Sequence, residues 1–216
     1  MRKSFIIISL WLAAPALGQP VPAVLKPASV PASWELTFRF QDPQRVSVFL
    51  PGKALPAVYW YMLYTVENAT DQEIDFYPTF ELVTDTLQVL SSEVGVSPEA
   101  YRAVARRAGD PLLVTPEKVI GRLLRGKDRA RHSVAIWPDF DPQAKRFTIY
   151  VGGLSGEVKR LKNPAFDSTR PESETNRRYF TLRKTLEIPY RLPGSRSRRS
   201  LAVPQRADAV MRWIMR

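Results

Sequence analysis

The sequence predicts a mainly β fold, an antiparallel β-sandwich with two short helices inserted. Three observations support this prediction. Short runs that alternate apolar and polar residues, as at 34–40, recur along the chain and are separated by Pro, Gly, Asn and Asp turns. No strand–helix–strand rhythm of the kind that builds parallel sheets is present. The chain of 216 residues contains no cysteine, so burial of apolar groups has to hold the fold without disulfides.

The N-terminus has the pattern of a secretory signal peptide over residues 1–18. Arg2 and Lys3 give a positive start, residues 5–12 are apolar, and the small-residue pattern of a cleavage site ends at Gly18. An uncleaved anchor is the alternative, but a spanning helix needs about 20 apolar residues and this stretch is shorter. We therefore predict an exported protein, periplasmic or extracellular, whose mature chain has no transmembrane segment.

A proline-rich stretch follows the predicted cleavage site. Residues 19–33 include four prolines, which exclude a regular helix or a central strand. The composition predicts an extended spacer. We expect one β-sandwich domain at 34–216, with a basic C-terminal third.

Eight segments carry strand patterns. The most informative is 57–66, which is almost continuously apolar and is typical of a central strand covered on both faces. Alternation then places Trp60 on one face, and Tyr59 and Tyr61 on the other. An Asn-Ala-Thr turn follows at 68–70. The other predicted strands are 34–40, 46–50, 74–89 with a break at Tyr77-Pro78, 133–137, 146–151, 179–190 with a register slip near Lys184-Thr185, and 210–216.

Two helices are predicted between these strands. Ser97-Pro98-Glu99 combines a capping side chain, a proline in the first turn and a favourable acidic charge, and Gly109 supplies the stop. Thr115-Pro116-Glu117 repeats the start signal, and apolar residues follow at helical spacing up to Gly126. The polar stretch at 162–177 predicts a mobile loop.

Two runs on either side of the Asn-Ala-Thr turn carry a family resemblance. Residues 64–71, Tyr-Thr-Val-Glu-Asn-Ala-Thr-Asp, and 76–85, Phe-Tyr-Pro-Thr-Phe-Glu-Leu-Val-Thr-Asp, resemble immunoglobulin-like domains of exported bacterial proteins. The resemblance implies an immunoglobulin-like sandwich in which a strand ends at the turn and a partner strand returns. The cysteine pair of true immunoglobulin domains is absent. The whole chain resembles an uncharacterised exported bacterial family, which implies no activity.

Charge is distributed unevenly around a formal net charge of +11. Residues 34–100 carry 3 basic and 10 acidic side chains, residues 101–154 carry 11 and 5, and residues 155–216 carry 15 and 6. One interpretation is that the acidic segment 34–100 faces the basic segment 101–216 within one fold. The other is a basic surface for an anionic partner outside the cell. Export argues against a genomic nucleic-acid partner.

The segment 191–200 is the candidate contact for such a partner. It carries four arginines, Arg191, Arg196, Arg198 and Arg199, and no acidic residue. Its Pro-Gly pair and three serines disfavour regular structure. Contact with an anionic polymer or protein of the cell envelope is one hypothesis, and a solvated surface loop is the alternative.

The sequence shows no catalytic constellation. His132 is the only histidine, and nothing in the sequence places a carboxylate beside it, so an exposed loop histidine is expected. Asp139 and Asp141 have the spacing that begins a Ca²⁺ loop, but the later ligands are missing, and turn formation is the simpler interpretation. A carboxylate-based hydrolase would have Glu81, Asp85, Asp139 and Asp141 to draw on. No cofactor is predicted.

These observations favour a non-catalytic exported β-sandwich with a structural or interaction role at the cell envelope. A binding module for an anionic polymer, acting through the basic C-terminal region, is the alternative. A hydrolase is the second alternative.

Overall fold

The structure, a computed structural model, describes residues 25–28, 33–194, 202–207 and 211–216. It is mainly β, with 44% strand and 10% helix, which confirms the predicted class. Neither helix in this described part has the length and hydropathy of a membrane span. In chain order the elements are β1 (Thr37–Phe40), β2 (Gln44–Val48), β3 (Ala57–Glu67), β4 (Ile74–Phe76), β5 (Thr79–Thr84), β6 (Val89–Ser91), α1 (Pro98–Ala108), α2 (Pro116–Val119), β7 (Gly121–Leu123), a 3-10 turn (Lys127–Arg129), β8 (Arg131–Pro138), β9 (Arg146–Gly152), β10 (Val158–Lys162), β11 (Tyr179–Arg191), β12 (Gln205–Arg206) and β13 (Arg212–Met215).

Strand β3 is the centre of a four-stranded antiparallel sheet. β8 runs along one side of β3, while β2 and β1 share the other side, β2 beside its first half and β1 beside its second half. The central position predicted for 57–66 is therefore confirmed. Its neighbours come from residues 37–48, just before it, and from residues 131–138, far after it, and local pattern alone does not specify this pairing.

A seven-stranded antiparallel sheet packs against the first one. Its long strand β11 has β9 and then β10 along one side, and β12 and then β13 along the other. β5 pairs with the free side of β9, and β6 pairs with β5. The C-terminal strand predicted at 210–216 is β13.

The main core lies between the two sheets. Trp60, Met62 and Tyr64 point into it from β3, and they meet the inward residues of β5, β9 and β11, such as Phe147 and Ile188. Trp60 is fully buried and stacks on Phe140 with ring centroids 5.4 Å apart. The aromatic residues of β3 therefore pack inside the protein.

The opposite face of β3 is covered by helix α1. Tyr59 and Tyr61 lie there with Ala100 and Val104 of the helix. The Ser97 hydroxyl accepts a hydrogen bond from the Ala100 amide, as a capping side chain does. Gly109 ends the helix in a left-handed conformation at φ 60°, as predicted.

The second predicted helix is much shorter than its pattern indicates. α2 ends at Val119, and the residues expected to continue it form β7, which pairs with β4 in a two-stranded sheet. Val119 and Leu123 are fully buried, whereas Ile120 and Leu124 are exposed. The prediction of helix up to Gly126 was wrong, because pairing with β4 overrides a local helical spacing.

The break predicted at Tyr77-Pro78 separates two strands that belong to different sheets. β4 pairs with β7 and β5 pairs with β9, so neither pairs with β3. The hairpin implied by the immunoglobulin-like resemblance is therefore absent. The turn itself is confirmed, since the buried Asn68 side chain accepts hydrogen bonds from the Thr70 amide and hydroxyl.

Strands β6 and β10 were incompletely predicted. β10 was not expected, and β6 begins at Val89, where the segment predicted at 74–89 ends. The predicted irregularity of β11 at Lys184-Thr185 is present: three consecutive residues, Lys184, Thr185 and Leu186, are buried, and pairing passes from β10 at Arg183 to β9 at Leu186. The irregularity at Lys184-Thr185 therefore lies where the pairing of β11 changes from β10 to β9.

Candidate functional site

Long-range ion pairs join acidic residues of the segment 34–100 to basic residues of the segment 101–216. They connect Glu35 to Lys184, Asp42 to Arg206, Glu73 to Arg122, Asp85 to Arg146 and Glu81 to Arg216. Much of the uneven charge is thus compensated inside one fold. The interpretation that the acidic and basic segments face each other accounts for these residues. A surface for an anionic partner therefore has to be sought among basic residues without such an ion pair.

Only one of the four candidate arginines at 191–199 lies in the described part of the chain. Arg191 ends strand β11 and is exposed, with Arg146 and Gln205 as its cross-strand neighbours. Arg196, Arg198 and Arg199 lie outside the described residues. The candidate contact therefore remains a prediction.

A basic hairpin extends past the ends of β9 and β13, where β11 has only β10 as a strand partner among the described residues. We call it the arm: β10, the first part of β11 and the loop between them, residues 158–183. It carries seven basic residues, Lys159, Arg160, Lys162, Arg170, Arg177, Arg178 and Arg183, against three acidic ones, Asp167, Glu172 and Glu174. Of the seven, only Arg177 lies within ion-pair distance of a described carboxylate, at 3.8 Å from Glu174. The arm therefore concentrates basic charge that the fold does not neutralise.

The two faces of the arm differ in chemistry. Cross-strand pairing places Arg160 opposite Thr181 and Lys162 opposite Tyr179, so these side chains share the outer face with Arg183. The inner face carries Lys159, Leu161, Phe180 and Leu182. Four apolar side chains of the arm are unusually exposed: Val158 at 48%, Leu161 at 44%, Tyr179 at 46% and Phe180 at 41%. A ribbon exposed on both faces is available to a partner.

The loop of the arm has a defined arrangement. Asn176, 6% exposed, donates hydrogen bonds to the carbonyls of Asp167, Arg170 and Pro171 and accepts one from the Asp167 amide. The loop predicted at 162–177 is confirmed from Asn163 onward, and its mobility stays a prediction. The sequence did not indicate that one buried amide would organise it.

A buried charged cluster anchors the base of the arm. Lys184 is 4% exposed, and its Nζ lies 2.7 Å from Glu35 and 3.6 Å from the equally buried Glu157. The ammonium also sits 4.9 Å from the Trp213 ring centroid. Glu157 accepts a hydrogen bond from the Ala28 amide at 2.9 Å, so part of the predicted spacer is tied to the domain. Sequence reasoning missed this cluster, because its members are far apart along the chain.

His132 occupies a position that the sequence did not predict. It lies in strand β8, and its Nδ1 is 2.7 Å from the Asp110 carboxylate, which also accepts a hydrogen bond from the Leu112 amide. These contacts hold the pKa of Asp110 below its usual value, with the His132 hydrogen bond as the larger cause. The expectation of an exposed loop histidine without a carboxylate was wrong. A cavity of about 350 Å³ adjoins the pair.

The candidate carboxylates for Ca²⁺ binding or hydrolysis are engaged elsewhere. Asp139 accepts a hydrogen bond from the Trp60 indole at 2.7 Å and pairs with Arg45 at 3.0 Å, and Asp141 accepts from the Gln143 amide. Glu81 and Asp85 pair with arginines, as described above. Among the residues that the structure describes, no group of three or more His, Asp or Glu side chains could hold a metal ion. The interpretation of Asp141 as a turn residue is confirmed.

Glu93 is a perturbed carboxyl that the sequence did not single out. Its backbone adopts φ 69°, and its side chain accepts a hydrogen bond from the Ile136 amide at 3.0 Å, while its own amide donates to the Ile136 carbonyl. Burial raises its pKa to about 7, against the lowering effect of the Ile136 hydrogen bond. This residue covers part of the edge of β8, so its position has a structural explanation.

Comparison with models of known families, with curated proteins and with solved structures finds no match to this chain. The family resemblance therefore rests on the residues that carry it. Function has to be argued from the surfaces described above.

Proposed function

We propose that this chain is an exported protein that binds an anionic polymer of the cell envelope through the outer face of its arm. The proposal rests on the excess of basic residues on the arm, which has seven basic and three acidic side chains. Export is supported by the N-terminal sequence pattern alone. The proposal moves the predicted anionic contact from residues 191–200 to the neighbouring arm.

The geometry of the outer face suits an extended polyanion. Arg160 and Lys162 are two residues apart on one strand, which corresponds to roughly 7 Å along it. Arg183 lies on the same face of the partner strand, and the Tyr179 ring is next to Lys162. Several charges in one row can contact successive anionic groups of a polymer at once, and each contact is weakened by salt.

The test is a triple substitution, Arg160, Lys162 and Arg183 to Ser, with dextran sulfate and phosphatidylglycerol-containing vesicles as separate probes. We expect binding to dextran sulfate to fall by at least about tenfold at 0.1 M salt, because about 1 kcal/mol is associated with each such cation. The slope of log affinity against log salt should become shallower by about 2. These residues are exposed, so stability should change by less than about 0.5 kcal/mol.

The matched control replaces three exposed lysines outside the arm, Lys53, Lys118 and Lys127, by Ser. It removes the same net charge, and we expect it to bind nearly as tightly as the wild type. Equal losses in both variants would mean that binding follows net charge and that the arm is not a site. A third variant, with Arg196, Arg198 and Arg199 replaced by Ser, tests the original candidate segment. Preferential binding to the vesicles would identify a lipid surface and contradict a polymer partner.

Export has its own test. N-terminal sequencing of the protein recovered from the producing cells should begin near Gln19, because cleavage is expected after Gly18. Recovery of the intact N-terminus from the exported fraction, or of all the protein from the cytoplasm, would refute this part of the proposal. The outcome is independent of the binding assay.

A further inference from the structure

The cavity beside His132 has the features of a built ligand site. It occupies about 350 Å³ between β1, β3, β8 and the segment that follows α1. Its apolar walls include Leu63, Ala108 and Leu113, and its polar groups include Gln41, Thr65 and His132. Apolar walls with a few convergent polar groups are the usual composition of small-molecule sites.

Strand register brings three polar side chains into one row at this cavity. Arg39 of β1 is the cross-strand neighbour of Thr65, and Thr65 of β3 is the neighbour of His132 on β8. Directly opposed residues project from the same face of a sheet, with Cβ atoms about 5 Å apart. Thr65 is therefore the middle position of this row, between Arg39 and His132.

Asp110 fixes the state of the imidazole. Its carboxylate lies 2.7 Å from Nδ1, so in the neutral ring the proton is at Nδ1 and Nε2 is left as a hydrogen-bond acceptor. Both oxygens of Asp110 already accept hydrogen bonds, since the other one accepts from the Leu112 amide at 2.9 Å. His132 Nε2 thus offers a hydrogen-bond acceptor, and the hydroxyl of the neighbouring Thr65 can both donate and accept a hydrogen bond.

The charged groups around the cavity already have hydrogen-bond partners. Arg39 is bound to Glu67 at 2.8 Å, and Asp110 is bound to His132. An ionic ligand would compete with Glu67 for the Arg39 guanidinium, or with His132 and Leu112 for the Asp110 carboxylate. A neutral ligand with several hydroxyl groups needs no displacement, because it can donate to Nε2 and exchange hydrogen bonds with Thr65 and Gln41.

We propose that this cavity binds one ring of a neutral sugar, with His132 accepting a hydrogen bond from a ring hydroxyl and Thr65 bonding its neighbour. The site lies apart from the arm, and the proposal does not depend on the function assigned to the arm. A ligand of this size with few polar contacts binds with a dissociation constant in the millimolar range.

The single histidine makes the test direct, because the imidazole resonances of the whole protein belong to His132. The imidazole ¹H–¹⁵N spectrum is recorded at about pH 8, above the ordinary titration range of histidine. Glucose, galactose, mannose, N-acetylglucosamine and N-acetylgalactosamine are added singly up to about 100 mM, well above a millimolar dissociation constant. We expect at least one of them to shift the Nε2 resonance saturably.

Thr65→Val should weaken that sugar at least fivefold, because it removes one hydroxyl contact and keeps a β-branched side chain of the same shape. Thr148→Val, a similar change in strand β9 of the other sheet, should leave the affinity unchanged. Absence of a saturable shift with all five sugars would overturn the proposal. It would also be overturned if acetate or inorganic phosphate shifted the resonance at lower concentration than any sugar, since the site would then be ionic.

Discussion

Replacing Trp60 by alanine is expected to lower the free energy of unfolding by about 3–5 kcal/mol, as other large-to-small core changes do. The side chain is fully buried between the sheets and packs on Phe140 and Phe147. Its indole N–H also bonds to Asp139 at 2.7 Å, so the substitution removes a polar contact as well as apolar volume. For a domain with an ordinary stability of 5–15 kcal/mol, such a loss is a large fraction of the total.

Urea denaturation of the wild type and four variants measures this effect. Trp60→Phe keeps most of the ring but loses the N–H, and Trp137→Phe is its matched control, because the buried Trp137 N–H has no hydrogen-bond partner among the described residues. We expect Trp60→Phe to cost more than Trp137→Phe by about 1 kcal/mol. Phe49→Ala, at a side chain 72% exposed, should change stability by less than about 0.5 kcal/mol. A loss below 1 kcal/mol for Trp60→Ala would contradict the central position of β3.

The second large effect is expected at Lys184. Lys184→Met keeps an unbranched apolar chain but removes the only described cation within ion-pair distance of Glu157, whose side chain is 4% exposed. One oxygen of Glu157, Oε2, has no hydrogen-bond partner among the described residues and lies 3.6 Å from Lys184. Leaving a buried charge without its partner costs about 3–5 kcal/mol.

A double-mutant cycle separates the charge effect from packing. Glu157→Gln removes the buried charge, and the Gln carbonyl can still accept the hydrogen bond from Ala28. The Lys184→Met, Glu157→Gln double variant should therefore be more stable than Lys184→Met alone, with a coupling of about 1–3 kcal/mol. Additive losses would show that Lys184 does not stabilise the fold through Glu157, and would leave its ion pair with Glu35 and its contact with Trp213 as the stabilising interactions.

Local signals in the sequence predicted what depends on local physics. The apolar run of β3, the Ser97 cap with its Gly109 stop, and the Tyr77-Pro78 break are each decided by a few neighbouring residues. The region after α2 was not predicted, because its apolar spacing fits a helix while β4 supplies a strand partner. Strand β10 was missed because it is only five residues long and its sequence is dominated by lysine and arginine.

The candidate site could be predicted only in part, from the local charge of the sequence. The basic C-terminal third is readable from composition, but which basic residues remain unpaired depends on partners elsewhere in the chain. Arg216 is neutralised by Glu81, whereas Arg160 on the arm has no described carboxylate within ion-pair distance. The His132–Asp110 contact likewise crosses 22 residues of sequence, and a single sequence contains no signal for it.

The contact between Glu35 and Lys184 has a consequence for the order of folding. These residues are 149 positions apart, so the chain must be nearly complete before the contact can form. β3 likewise cannot pair with β8 until residues 131–138 have been made. Until then, one edge of the apolar strand β3 is unpaired. Folds with such distant pairings form slowly, and their unpaired strands are the segments most prone to aggregate. We therefore expect residues 57–67 to be where a newly made chain most needs a chaperone.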